Sequence, residues 1–194
     1  MGAKVHLRAV EMKDLGTFFK HGQDYDTESD RYCDTIHFPR SFEALKAHVE
    51  SLLKQEPKDD AFRWMIENRK GQAVGGINTF DCSRHHGTFK YGLGIIRAHW
   101  GKGYAREAIA IVLRYYFHEL RYQKATVHIY SFNARSIGLH EKLGFQHEGR
   151  LRRMCFTNGE HHDDVLMGMT KEEFDRQHPI PDRPDIGKQA RTKK

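Results

Sequence analysis

HWGKGYAREAIAIVLRYYF, residues 99–117, sets two glycines and a small alanine directly ahead of a run whose apolar residues recur at helical spacing. Ala108, Ile109, Val112, Tyr116 and Phe117 fall on one stripe. A helix starting near Ala105 buries that stripe, which fixes where its N-terminus points. The preceding segment, TFKYGLGII, has the β-branched and aromatic content of a strand. A strand, a short loop with Gly101, Lys102 and Gly103, and a helix start together make a place where free backbone N–H groups and the positive helix end converge. Such a place binds phosphate. The two glycines let the chain curl without Cβ interference, and Ala105 keeps the first turn close to a ligand. A tight strand-to-helix turn with no ligand would use the same glycines.

Spacing removes two nucleotide readings. The pattern G-x-x-x-x-G-K-[ST] fails because Gly103 stands where Ser or Thr would hold magnesium, and G-x-G-x-x-G fails at Arg106.

Working outward, the chain alternates elements. VHLRAV reads as a strand and EMKDLGTFFKHG as a short helix, with Met12, Leu15, Phe18 and Phe19 on one side. A polar, acidic connection, QDYDTESDRY, leads to a second helix, FEALKAHVESLLK, with Ser41 as its N-cap. FRWMIEN and AVGGINTFD read as strands joined by the turn RKGQ, and TFKYGLGII follows them. After the glycine-led helix come a strand, KATVHIYS, and a helix, NARSIGLHEKL, which ends at Gly144. LRRMCFT and DVLMGMT flank Asn158-Gly159, a type I′ hairpin signal. The expectation is an α/β (α+β) fold with a mixed, largely antiparallel sheet, one domain over residues 1–177 and a flexible basic tail over 178–194.

Composition sets bounds. With 194 residues, 38% hydrophobic and 11% aromatic, the chain can bury one full core. Cys33, Cys82 and Cys155 are odd in number and without C-x-x-C spacing, which argues against a disulfide framework or a zinc site and for a reducing compartment. The start, MGAKVHLRAV, has no apolar signal core, His6 stands where a myristoylation signal needs Ser or Thr, and no long uncharged apolar run occurs. A cytoplasmic protein without a membrane partner is expected. Of the net charge of +6, residues 178–194 hold five Lys or Arg against two Asp, so half of the excess lies in the tail. The body has no basic run interleaved with aromatics, which disfavours nucleic acid as partner. A homo-oligomer is compatible with the sequence.

Trp100-Gly101-Lys102-Gly103-Tyr104-Ala105 resembles the acetyl-CoA loop Q/R-x-x-G-x-G/A of the GNAT superfamily of N-acetyltransferases, with Gly103 and Ala105 matching and Trp100 departing. The strand VHIYS and NARSIGLHEKLGF, residues 133–145, follow in that superfamily's order, and EGRLRR with the NG hairpin is similar to its ribosomal-protein and spermidine acetyltransferase branch. The resemblance covers about residues 5–170. It implies a GNAT-like sheet in which the strand ending at Ile95 splays from the strand around Val127, flanked by helices. It also implies acetyl-CoA as co-substrate: Leu93, Gly94 and Ile95 would present backbone groups to the pantetheine arm, and Gly101, Lys102, Gly103, Tyr104, Ala105 and Arg106 would hold the pyrophosphate. An N–H near Ile95 would stabilise the oxyanion that forms when an amine attacks the thioester.

By the same resemblance, Asn133, Ser136 and His140, which share one helix face, turn toward the CoA arm. His140 stands where the superfamily often has a tyrosine that protonates the departing thiolate, and as a histidine it could donate that proton or simply pack. His128 stands where some relatives have a basic glutamate, and Lys90 replaces another frequent carboxylate. Either His128 accepts the ammonium proton or water does. The connection with Asp24, Asp26, Glu28 and Asp30, beside Tyr25 and Tyr32, would line the acceptor entrance and suit a cationic amine, although a solvated loop is also polar. The expected reaction is acetylation of a primary amine on a small molecule or a peptide N-terminus, by direct attack in a ternary complex. The alternative is a non-catalytic acyl-CoA-binding or regulatory module. His85-His86 and His161-His162-Asp163-Asp164 look like metal ligands, but strand neighbours point to opposite faces, so no metal is expected.

Overall fold

The computed structural model describes residues 4–22, 32, 40–56 and 58–179. The acidic connection with Asp24, Asp26, Glu28 and Asp30, and nearly all of the basic tail, lie outside the described residues. Among the described residues seven strands form one sheet in the order β1-β2-β3-β4-β5-β7-β6. They are β1 (Val5–Arg8), β2 (Arg63–Asn68), β3 (Ala73–Ser83), β4 (Thr88–Ile95), β5 (Lys124–Tyr130), β6 (Gln146–Thr157) and β7 (Glu160–Thr170). The helices are α1 (Leu15–Gly22), α2 (Phe42–Leu53), α3 (Tyr104–Arg114), α4 (Ala134–Leu143) and α5 (Lys171–Gln177). The sheet is mixed and largely antiparallel, as expected from the sequence.

One pairing is parallel, and it is short. β4 meets β5 only at Thr88↔Lys124, Phe89↔Ala125 and Lys90↔Thr126. Beyond these pairs β4 continues against β3 as far as Ile95, and β5 continues against β7 as far as Tyr130. The facing edges of Tyr91–Ile95 and Val127–Tyr130 therefore diverge and leave backbone groups unused by the ladder.

The core lies between the sheet and α3. Val5, Ile66, Ile77, Phe89, Tyr91, Val127, Ile129 and Met167 pack with Ala108, Ile109, Val112, Tyr116 and Phe117, the stripe read from the sequence. Met65, on the opposite face of β2 from Ile66, is also buried, as are Leu15 of α1 and Val49 of α2, and none of the three belongs to that cluster. Both faces of this half of the sheet are thus covered. Arg8 fastens the entry to α1: its guanidinium donates to Asp14 at 2.8 and 2.7 Å and to Glu67 at 2.5 Å. Burial pushes the Asp14 carboxyl up, but the hydrogen bonds from Arg8 and from the Glu11 N–H, together with the Arg8 and Lys13 charges, hold it below the usual carboxylate range. The bond from Arg8 likewise holds Glu67 low.

Three elements differ from the sequence reading. The glycine-led helix keeps α geometry only to Arg114 and continues as a wider π turn over Tyr115–Glu119. There both Tyr116 and Phe117 are buried, and the Tyr116 hydroxyl meets Thr79 Oγ1 at 2.5 Å. β6 starts at Gln146, directly after Phe145, so the last hairpin is longer than LRRMCFT and DVLMGMT implied. The helix α5 was missed, although Thr170 and Glu173 carry a full capping box, the T-x-x-E spacing that marks a helix start.

Candidate active site

Between β4 and α3 the chain makes a single-turn 3₁₀ segment, Arg97–His99, and then passes through Gly101 and Gly103 with φ of 75° and 80°. Both values lie in the left-handed region, where a side chain is strained. Gly103 is the N-cap of α3 and supplies no side-chain acceptor, so the first N–H groups of the helix are uncapped by side chains. Lys4, which the sequence reading missed, places its ammonium against this loop: Nζ donates to the Lys102 carbonyl at 3.2 Å. The Glu107 carboxylate accepts from the Lys4 N–H at 2.8 Å and so docks β1 onto the first turn of α3. Trp100, the departure from the expected pattern, donates its indole N–H to the Ile95 carbonyl at 2.6 Å, and the Arg135 guanidinium lies 4.2 Å over its ring. The loop is thereby tied to the end of β4 and to the first turn of α4. Bare backbone, an uncapped helix end and nearby ammonium groups fit a pyrophosphate, and the divergent edges of β4 and β5 fit an amide-rich arm.

His128 lies on β5 opposite in facing to the buried Val127 and Ile129. Strand register carries that facing through Thr126↔Lys90 and Gly94↔Gly76 to Met65, so His128 looks to the side of the sheet away from α3. Its Nδ1 meets Asp164 Oδ2 at 2.7 Å, and its side chain is 38% exposed. Asp164 Oδ1 is buried and has no partner among the described residues. Tyr130, the cross-strand partner of Asp164, stacks on Phe132 at 5.6 Å, and Phe132 stacks on Tyr32 at 5.7 Å. Lys90 is paired with Asp81 at 3.1 Å.

His140 is buried between α4 and β4. It is 2% exposed, its Nδ1 lies 2.7 Å from the Ser136 carbonyl and its Nε2 lies 2.9 Å from the Tyr91 hydroxyl. A carbonyl only accepts, so Nδ1 carries the hydrogen and Nε2 accepts from Tyr91. Burial lowers the pKa of His140, against the opposing bond to Ser136. A neutral ring with both nitrogens engaged is a poor source of protons, which favours packing, the second of the two readings that the sequence left open for His140. Asn133 uses its Oδ1 on its own helix, accepting from Ser136 N at 3.1 Å. His161 and His162 pack on Phe156 and Phe132 respectively. Among the described residues no group of three His, Cys, Asp or Glu side chains could hold a metal ion.

This fold and this loop define an acetyltransferase. The chain belongs to the GNAT acetyltransferase family, whose domain matches residues 4–146. The activity of that family is transfer of an acetyl group from acetyl-CoA to an amine, with acetyl-CoA as co-substrate. The chain is 44% identical to the SPbeta prophage-derived N-acetyltransferase YokL of Bacillus subtilis over 177 residues, which cover 91% of this chain and 96% of that one. Spermidine N(1)-acetyltransferase of Vibrio cholerae is 28% identical over 175 residues, 90% of this chain and 97% of its own. The crystal structure of spermidine N-acetyltransferase from Vibrio cholerae in complex with CoA and spermine superimposes with a TM-score of 0.75 at 24% identity, covering 88% of this chain and 97% of that one. Among the described residues no helix is long and apolar enough to cross a membrane.

Proposed function

We propose that this acetyltransferase acts in the cytoplasm on a small cationic aliphatic amine, which reaches the thioester from the His128 side of the sheet. The observation that carries the reading is His128 itself, half-exposed beside the divergence of β4 and β5 and held by a buried aspartate. The loop Gly101–Arg106 and the edges Leu93–Ile95 hold acetyl-CoA, with the N–H near Ile95 facing the charge that develops on the thioester oxygen. An aliphatic amine arrives protonated, since its pKa is about 10, and must lose that proton before it can attack. His128 Nε2 takes the proton. The amine nitrogen then forms its bond to the acetyl carbon, the carbon–sulfur bond breaks, the nitrogen gives its second proton to solvent to leave the neutral amide, and the thiolate takes a proton from solvent. The aromatic faces of Tyr130, Phe132 and Tyr32 suit the cation on its way in, and a relative named above, from Vibrio cholerae, is a spermidine N(1)-acetyltransferase.

Thiol release from acetyl-CoA over a panel of amines tests this reading, with spermidine, simple diamines, an aminoglycoside and short peptides with free N-termini. Turnover with the polyamines and diamines is expected. Turnover with peptides alone would overturn the acceptor class, and none with any amine would point to a binding module. Asp24, Asp26, Glu28 and Asp30, replaced together by Asn or Gln, should raise KM for a polycation at low salt and flatten its salt dependence, while KM for acetyl-CoA stays the same.

A further inference from the structure

Asp164 lies in a run, His161-His162-Asp163-Asp164, whose spacing pointed to nothing. Its neighbour Asp163 shows how an aspartate ties strands together here: Oδ2 accepts from Arg150 Nε at 2.6 Å and Oδ1 accepts from the Arg153 N–H at 2.9 Å. Asp164 is different. It is 6% exposed, one oxygen meets His128 Nδ1, and the other is buried and unpartnered among the described residues. A buried acceptor left without a donor costs about 1–3 kcal/mol, so an aspartate kept only for stability would be better exchanged for an apolar residue. The β5–β7 register sets His128 opposite Leu166 and Tyr130 opposite Asp164. Asp164 is therefore the diagonal neighbour of His128 on the same face, within reach of a ring.

We propose that Asp164 is a positioning residue, one that holds His128 in its Nδ1–H tautomer with the Nε2 lone pair free. An ionised carboxylate only accepts, so the hydrogen between the two groups belongs to Nδ1, and the other nitrogen of a neutral ring is then the acceptor. Among the described residues Nε2 has no partner. When the ammonium gives one proton to Nε2, the ring becomes a cation next to the Asp164 carboxylate, which stabilises it, and the proton later passes to solvent. No electrons change hands. The empty Oδ1 matters here, because a carboxylate with no second donor directs its charge at the ring undiluted. The proposal rests on His128 as the base of the reaction above.

The test separates the two claims. Ring-nitrogen NMR on the full chain labelled with ¹⁵N-histidine reads the tautomer of His128 directly, and single-turnover transfer from acetyl-CoA to spermidine reads its use. In wild type the Nδ1–H form is expected. Asp164→Ala should move the hydrogen to Nε2 and slow single turnover by about 10²-fold or more, the contribution of a positioned base, with KM for acetyl-CoA unchanged. Asp164→Asn keeps the shape and serves if the alanine variant does not fold. With no donor to fix Oδ1, its amide can turn either side to Nδ1, so both tautomers should coexist and part of the rate should return. A His128 that stays wholly Nδ1–H in these variants overturns the proposal. A tautomer that moves while single turnover is undiminished sinks His128 as the base and leaves Asp164 orienting a ring the reaction does not use.

Discussion

Gly75 of β3 stands opposite Ile95, the last residue of β4, at the edge expected to face the thioester. A methyl group there would sit far inside contact distance of the Gly94 carbonyl oxygen, 2.9 Å from Ile95 Cδ1 and 3.0 Å from Ile95 Cα. Two of those three neighbours are backbone, so Gly75→Ala can be relieved only by moving the end of β4. Overpacking of this kind costs about 1–3 kcal/mol. At roughly 2–4 °C per kcal/mol for a chain of this size, Tm should fall by about 2–12 °C. A displacement on the order of 1 Å at a positioning group can lower rate by 10²-fold, so kcat should fall by about that factor. Gly76→Ala and Gly94→Ala are the controls. The first would meet the Trp64 carbonyl at 3.4 Å, an ordinary contact, and the second would meet nothing within 4 Å. Neither should change Tm by more than about 1–2 °C, the shift from roughly 0.5 kcal/mol, while Gly94→Ala should raise KM for acetyl-CoA because its methyl rises from the edge proposed to hold the pantetheine arm. Calorimetry and steady-state kinetics on the three variants decide the matter. Equal Tm and equal kcat for Gly75→Ala and wild type would show that the end of β4 is not held as described.

Gly103→Ala should cost about 1–2 kcal/mol of stability from its left-handed backbone, and titration calorimetry should show acetyl-CoA binding weakened by about tenfold or more, about 1.4 kcal/mol; an unchanged Kd would detach the loop from the pyrophosphate. His140, whose pKa burial lowers, resists the proton that the unfolded chain takes up near pH 6.5. Its contribution is therefore complete above that pH and lost as pH falls below it, by up to about 1.4 kcal/mol per unit, and urea melts of His140→Gln at pH 7.5 and 5 should show a weaker pH dependence than wild type. Arg8→Met leaves Asp14 and Glu67 without their shared guanidinium, and a loss of about 3–5 kcal/mol is expected by urea unfolding, with recovery when both carboxylates are also replaced by their amides.

How much was legible in the sequence depended on how local the cause is. The glycine loop, the α3 stripe, the Ser41 cap and the NG hairpin are all settled within a few residues of chain, by steric freedom, periodicity and short-range hydrogen bonds. They were read where they stand. The short parallel contact between β4 and β5 joins segments some 35 residues apart, and no local pattern says where such a pairing stops. Asp164 could be seen as an aspartate, but only the β5–β7 register brings it diagonally across from His128 and leaves its second oxygen unpartnered. Lys4 and Arg135 reach the glycine loop from distant parts of the chain in the same way. The sequence also placed His140 on the correct helix face, yet whether that face met a ligand or the core turned on Tyr91, which occupies Nε2 from another strand. Backbone conformation is decided over a turn or two, whereas the protonation and partners of a side chain are decided by whatever the folded sheet packs against it.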